Sequence, residues 1–345
     1  MDKRFSSRVF EFSLSPNLKS KIQNRKLVGI VALIVTFAVL VAVAEAQQPP
    51  KVAKIGILAD VRSPPVEALL QGLRDLGYIE GQNILIEYRY AEGKRDRLPD
   101  YAAELIRQKV DLIVAVAQAV PYAAKSVKDI PVVFGFSGDA VDAGLVASLA
   151  RPGANVTGMS FFASTLAGKR VELLKEALPG ISRIAVLANP GHAGIQIELR
   201  ETQTVARALG ISVQYQTAQV SNDFSPAFDA IAKYRGNALI TFPDGVMLAH
   251  RQEIAEFAAK QRLASVSGWS EFADAGGLMT YGPNFLNSWR RVAVFVDKVL
   301  KGAKPADLPV EQPMKFELVI NLKTAKQIGV TITPNVLARA DRVIK

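Results

Sequence analysis

DLIVAVAQAVPYAAKSVKDIPVVFGFSGDA (111–140) decides the fold. Its two ends, DLIVAVA (111–117) and PVVFGF (131–136), are short apolar runs rich in β-branched residues, bounded by turn and helix signals. Runs of that length suit strands buried on both faces. Between them, Pro121 stands at the start of a short helical segment near 120–127. Strand, helix and strand in this order form a parallel crossover unit, and a parallel sheet needs helices on both of its faces.

The pattern extends in both directions. Upstream, KIGILAD (54–60) is another buried strand, and Val66, Leu69, Leu70, Leu73 and Leu76 recur at helical spacing until Gly77. ILIEYRY (84–90) alternates as a strand and 96–108 reads as a helix. A helix over 141–149 and a strand in NVTGMSFF (155–162) close a first half. The second half repeats the plan: helix 166–177, RIAVLAN (183–189), helix 195–209, SVQYQTA (212–218), helix 224–234, NALITF (237–242), helix 246–261, LASVSGW (263–269) and GGLMTYG (276–282). A long helix at 285–301 ends at Gly302, and FELVIN (316–321) with a last helix at 322–328 completes the chain. The fold class is therefore α/β, with two Rossmann-like lobes and a cleft between them. No period of 20–50 residues is present, which excludes solenoids.

Ahead of these lobes lies LVGIVALIVTFAVLVAVA (27–44), eighteen apolar or small residues behind a basic stretch. Ala44 and Ala46 have the spacing a signal peptidase prefers, so 1–46 reads as a signal peptide with Gln47 as the mature start. Eighteen residues at about 1.5 Å each could also span a bilayer as an uncleaved anchor. The basic flank places the body outside the cytoplasm in either case.

The chain carries +10 overall; without residues 1–46 it has 35 basic against 29 acidic residues, a balance of +6. This scattered excess serves solubility and does not form a nucleic-acid footprint. There is no cysteine, which excludes disulfides, thiolate metal sites, a cysteine nucleophile and a lipid-bearing cysteine after the leader.

In open parallel sheets, ligands sit beyond the carboxyl ends of the strands. That rule selects Asp60, Gln118, Ser137, Asp139, Asn189, Asp244, Trp269 and Tyr281, with helix N-termini near Pro121, Pro190 and Val246. Asp139 could hold a ligand ammonium or cap the helix expected at 141–149. Asp244, in Phe242-Pro243-Asp244-Gly245, is a ligand contact or a turn residue. Trp269 could stack on a ligand or fill the core. Gln118 and Asn189 offer amides to a ligand or to turns. Tyr281 stands where the chain should return between lobes, and Asp60 could instead pair with Arg62.

Several stretches are similar to a known family. QGLRDLGYIEGQNILIEYRYAEG (71–93), RLPDYAAELIRQKVDLIVA (97–115), IPVVFGFSGDAVDAGLVASLARPGANVTG (130–158), KRVELLKEALPGISRIAVLANP (169–190) and VEQPMKFELVINLKTAKQIGVTIT (310–333) resemble ABC-transporter substrate-binding proteins of the tryptophan/tyrosine-transport-like branch. The resemblance covers nearly all of 52–345. It implies a type I periplasmic binding fold with three crossovers, one lobe formed by 52–165 plus 283–306 and the other by 166–282 plus 307–345. It also implies ligand contacts at Asp60, Gln118, Asp139, Asn189, Asp244 and Trp269. Two loops depart from the family pattern: Ala117-Gln118-Ala119 replaces small Gly/Thr residues, and Gly138-Asp139-Ala140 replaces Gly-Asp-Pro. The cargo is left open by those departures.

A catalytic reading finds little support. His192 and His250 are the two histidines, Ser160 lacks the second glycine of a nucleophile elbow, and neither a Walker A nor a G-x-G-x-x-G motif is present. No enzyme activity, cofactor or metal is expected. The expected function is that of a monomeric periplasmic receptor that binds a small molecule, an aromatic or other amino acid, and delivers it to an inner-membrane ABC permease. The alternatives are an anchored sensory ectodomain of the same fold and a cleft hydrolase built on paired carboxylates.

Overall fold

The structure is a computed structural model that describes residues 52–161 and 165–345. The leader 1–46 lies outside the described residues. Among the described residues, no helix is long and apolar enough to cross a membrane.

The first half contributes β1 (Ala53–Ala59), α1 (Pro64–Asp75), β2 (Ile84–Tyr90), α2 (Leu98–Arg107), β3 (Leu112–Val116), α3 (Val120–Ser126), β4 (Val132–Phe136) and β5 (Val156–Ser160). The second contributes α4 (Thr165–Ala177), β6 (Arg183–Ala188), α5 (Ile195–Ala208), β7 (Ser212–Thr217), α6 (Ser221–Tyr234), β8 (Ala238–Thr241), α7 (Gly245–Ala249), α8 (Arg251–Lys260), β9 (Ala264–Ser267), α9 (Ser270–Asp274) and β10 (Met279–Pro283). Then follow α10 (Phe285–Leu300), β11 (Phe316–Asn321), α11 (Leu322–Ile328), α12 (Pro334–Ala338) and β12 (Arg342–Ile344).

One sheet has the order β2-β1-β3-β4-β5 and is parallel throughout. The other has the order β12-β11-β10-β9-β8-β6-β7; β6 to β10 are parallel, β11 runs antiparallel to β10, and β12 is parallel to β11. Both β3 and β4 are buried along their full length, as their unbroken apolar runs require. The chain passes between the sheets after β5, between β10 and α10, and again before β11. On this last passage it stays beside the first sheet, where Thr157 Oγ1 donates to the Leu308 carbonyl at 2.8 Å.

Helix α10 returns from the second sheet to the first. Asn284 caps it by accepting from the Asn287 N–H at 3.0 Å. Trp289, Val292, Ala293, Phe295, Val296 and Val299 fall on its buried stripe and join the core shared with α1.

Four expectations are corrected. No helix forms over 141–149: Ala143 to Gly144 turn back on Asp139 and Val141, and Gly144 sits at φ +65°, a left-handed conformation that ends helical winding. The loop after β6 does not start a helix at Pro190; a turn intervenes and α5 begins at Ile195 after Gly194 at φ +90°. The chain does not end with 322–328, because α12 and β12 follow, and β12 extends the second sheet beside β11. The expected helix 246–261 is two helices that meet at His250.

Phe295 is 1% exposed on the α10 stripe. Phe295→Ala should therefore destabilise the protein by about 3–5 kcal/mol, read as a lower urea midpoint with an unchanged slope.

Candidate functional site

The loops that follow β1, β3 and β4 on one sheet, and β8 and β9 on the other, converge on a cleft of about 620 Å³. Asp60, Gln118, Ser137 and Trp269 line it; Asp139, Asn189, Asp244 and Tyr281 do not. The lobes meet beside the cleft at two glycines. A Cβ on Gly245 would lie 2.5 Å from Gln118 Nε2, and one on Gly138 would lie 2.8 Å from both Cβ and O of Ala193. The Gly138 loop is itself held by Ser160, whose hydroxyl donates to the Gly138 carbonyl at 3.0 Å.

Aromatic rings make one wall. Trp269 stacks on Phe285 with centroids 4.0 Å apart and planes at 20°. Phe161 meets Phe285 and Trp289 edge-on at 5.6 and 5.4 Å. Phe285 and Trp289 are four residues apart on the first turns of α10, so one helix face delivers both. The indole N–H of Trp289 is buried and has no hydrogen-bond partner among the described residues.

Each remaining candidate has a definite place. Asp60 Oδ1 accepts from the Gly93 N–H at 2.8 Å and Oδ2 pairs with Arg95 Nε at 3.0 Å. Arg62, expected to pair with Asp60, instead pairs with Glu67 at 2.7 Å. Asp139 Oδ1 accepts from the N–H groups of Val141 and Asp142 at 2.8 and 3.0 Å, closing a turn. Asp244 caps α7 by accepting from Met247 N–H at 2.8 Å, and Asn189 Nδ2 donates to its other oxygen at 2.5 Å. That bond joins the loops after β6 and β8, adjacent strands at the switch point of the second sheet. Tyr281 lies in β10 against Phe316 and lends its carbonyl to Arg170 Nε at 2.9 Å.

Beneath this loop pair lies a buried charged set that the sequence reading missed, apart from His192 and Asp244. Arg170 and Glu198 are each 2% exposed and His192 7%. Arg170 Nη1 stands 3.6 Å from Glu198 Oε1, and His192 Nε2 stands 3.5 Å from Glu198 Oε2. Burial pulls the Arg170 pKa down, opposed by Glu198. Burial also acts against charge on His192, but Glu198 and Asp244 outweigh it and hold the imidazole above its ordinary value. Burial raises the Asp244 carboxyl, opposed by His192 and by its amide donors. His192 is thus a buried imidazole held against Glu198 and does not line the cleft. His250 lines the cleft, stacks on Phe224 at 4.1 Å and faces Glu253 at 3.1 Å.

Comparison with known proteins decides the family. The model for "ABC transporter substrate binding protein" matches residues 54–344. The chain belongs to the ABC transporter substrate-binding protein family. It is 26% identical over 279 residues to a tyrosine-binding protein of Clostridioides difficile, covering 79% of this chain and 80% of that one. A conserved domain protein from Vibrio cholerae O1 biovar eltor superposes with TM-score 0.79 at 30% identity, over 85% of this chain and all of the other. An ABC domain from Streptococcus pneumonia, solved in complex with L-Trp, superposes with TM-score 0.78 at 27% identity, over 85% and 99% of the two chains. The resemblance read from the sequence is thereby established, and the fold is that of type I periplasmic binding proteins. Members of this family are substrate-binding proteins of ABC transporters.

A raised histidine pKa means that the ion pairs of His192 stabilise the fold fully below pH 6.5, its ordinary value, and are lost as pH rises through the elevated one. As pH rises above 6.5, urea unfolding should show falling stability, and His192→Gln should flatten that slope. Arg170→Met, which leaves Glu198 with one partner fewer, should cost about 3–5 kcal/mol.

Proposed function

We propose that this protein is the periplasmic receptor of an ABC importer. It takes a small solute with an aromatic body between its lobes and presents the closed form, as a monomer, to an inner-membrane permease. The observation that carries this reading is the aromatic wall built by Trp269 of one lobe and by Phe161, Phe285 and Trp289 packed on the other, inside a cleft large enough for one such solute. The relatives that bind tyrosine by name or L-Trp in a crystal support the aromatic part. The bodies that close are 52–165 plus 283–306 and 166–282 plus 307–345, and contacts from both give the closed state its differential affinity. Cargo is bound and released without chemistry.

The sequence reading placed cleft aspartates against a cargo ammonium. Asp139 Oδ1 and Asp244 Oδ1 accept from backbone N–H groups, Asp244 Oδ2 accepts from Asn189 Nδ2, and neither residue lines the cleft, so these two aspartates are not placed to meet a cargo ammonium.

Thermal unfolding against aromatic amino acids, aromatic acids, nucleosides and sugars tests the receptor reading. A cargo at about 100 times its Kd should add roughly 2.7 kcal/mol and raise Tm by a few degrees. Trp269→Ala should abolish that shift. A flat response across the whole panel from a folded protein would sink the reading. N-terminal sequencing of the exported protein should start at Gln47; recovery of 27–44 with the protein would favour the anchored ectodomain.

A further inference from the structure

The lobes touch at two glycines, and the two contacts differ in stiffness. A Cβ on Gly245 would meet the amide end of Gln118, a flexible side chain that can swing aside. A Cβ on Gly138 would lie 2.8 Å from both Cβ and O of Ala193, and as close to Phe136 Cε1 in its own lobe. Non-bonded carbons rest about 3.5–4.0 Å apart, so a side chain at 138 would arrive roughly 1 Å too close to Ala193. Gly138 has no positive φ, so alanine there meets no left-handed penalty. What opposes a side chain is contact.

Both loops at this contact are fixed. Ser160 holds the Gly138 carbonyl, and Asp139 closes the next turn on the Val141 and Asp142 N–H groups. Across the gap, Ala193 follows the buried His192, whose N–H donates to the Asn189 carbonyl at 3.1 Å and whose carbonyl accepts from Ile195 N–H at 3.2 Å. Ala193 itself packs on the first-sheet core that contains Phe136 and Ala140. The contact also lies beside the passages between the sheets. Ser160 ends β5, where the first passage begins, and its N–H donates to the Glu311 carbonyl at 3.0 Å on the last one. A stiff contact at the root of two moving bodies acts as a fulcrum, and a small displacement there is magnified at the far rim. Neither Gly138 nor Ala193 lines the cleft.

We infer that the contact of Gly138 with Ala193 is the pivot on which the lobes turn, and that the missing side chain at 138 sets how far the cleft closes. The two are positioning residues, acting on cargo affinity through the lobe angle without touching cargo. Their effect on binding rests on the receptor reading above; the lobe angle is measurable without cargo.

The chain has no cysteine, so Lys94→Cys and Asn222→Cys together give two unique sites for spin labels. Both residues are exposed and do not line the cleft, but they adjoin Gly93 and Ser221, which line it from opposite lobes. In protein unfolded and refolded to remove retained cargo, Gly138→Ala should lengthen the distance between the labels by several ångströms. Ala193→Val, a wedge driven from the other lobe, should lengthen it too. Adding Ala193→Gly to Gly138→Ala should bring the distance most of the way back. An unchanged distance in both single variants would overturn the pivot, even if the urea midpoint fell, since Gly138 would then be merely structural. A lengthening that Ala193→Gly leaves in place would also overturn it, because its source would be Phe136. Calorimetric titration uses L-tryptophan and L-tyrosine as probes. Whichever binds the parent protein should bind Gly138→Ala about tenfold more weakly, with recovery in the double variant. A longer distance with unchanged affinity would overturn the positioning role and leave the receptor reading intact. A parent that binds nothing across the wider panel would remove the receptor reading, and the distances alone would then decide the pivot.

Discussion

Arg170 is the buried charge on which the second half of the site depends. It stands on α4, the first helix after the chain leaves the first sheet, and is 2% exposed. Its Nε holds the Tyr281 carbonyl, two residues before the end of β10 and the passage back to α10. Its Nη1 faces Glu198, which faces His192 on the loop after β6. That imidazole in turn supports the Asp244 carboxylate that caps α7, whose residues Gly245, Val246, Leu248 and Ala249 line the cleft. A charge removed from water is stable only with its partners in place, so these groups fix one another's positions. The position of the cleft loops relative to the inter-lobe passages follows from that mutual requirement.

The first lobe solves the same problem with less charge. Its strand ends are held by Asp60 across to Gly93 and Arg95, by Asp139 closing its own turn, and by Ser160 holding Gly138. Its contribution to the cleft is mainly aromatic and arrives on α10. A rigid wall on one side and a network-held set of loops on the other suit a site that closes by moving whole lobes.

Strand and helix positions were largely legible because buried parallel strands leave unbroken apolar runs and amphipathic helices leave a 3.6-residue stripe. FELVIN and the helix after it lie where the periodicity puts them. The 141–149 segment misled because Ala, Val and Leu favour helix there, while Gly144 and the Asp139 turn override propensity. Strand-end reasoning reached Asp60, Gln118, Ser137 and Trp269, which line the cleft, but could not separate them from Asp139, Asn189 and Asp244, whose side chains turn inward to backbone groups. It missed Arg95 and Arg251, which also line the cleft, because neither follows a strand directly. Phe285 and Trp289 did leave a signal: two aromatic residues four apart, directly after the Pro283 passage. Glu198 and Arg170 left none, since a charged residue on a helix reads as solvated until the packing around it is known.

The chain has two tryptophans, Trp269 just after β9 and Trp289 on α10, and both line the cleft. Indole emission from this protein therefore has no background from elsewhere in the fold. Its wavelength and intensity are set by the polarity and the contacts of the cleft alone, so a non-indole cargo would be visible to the unlabelled protein's own light.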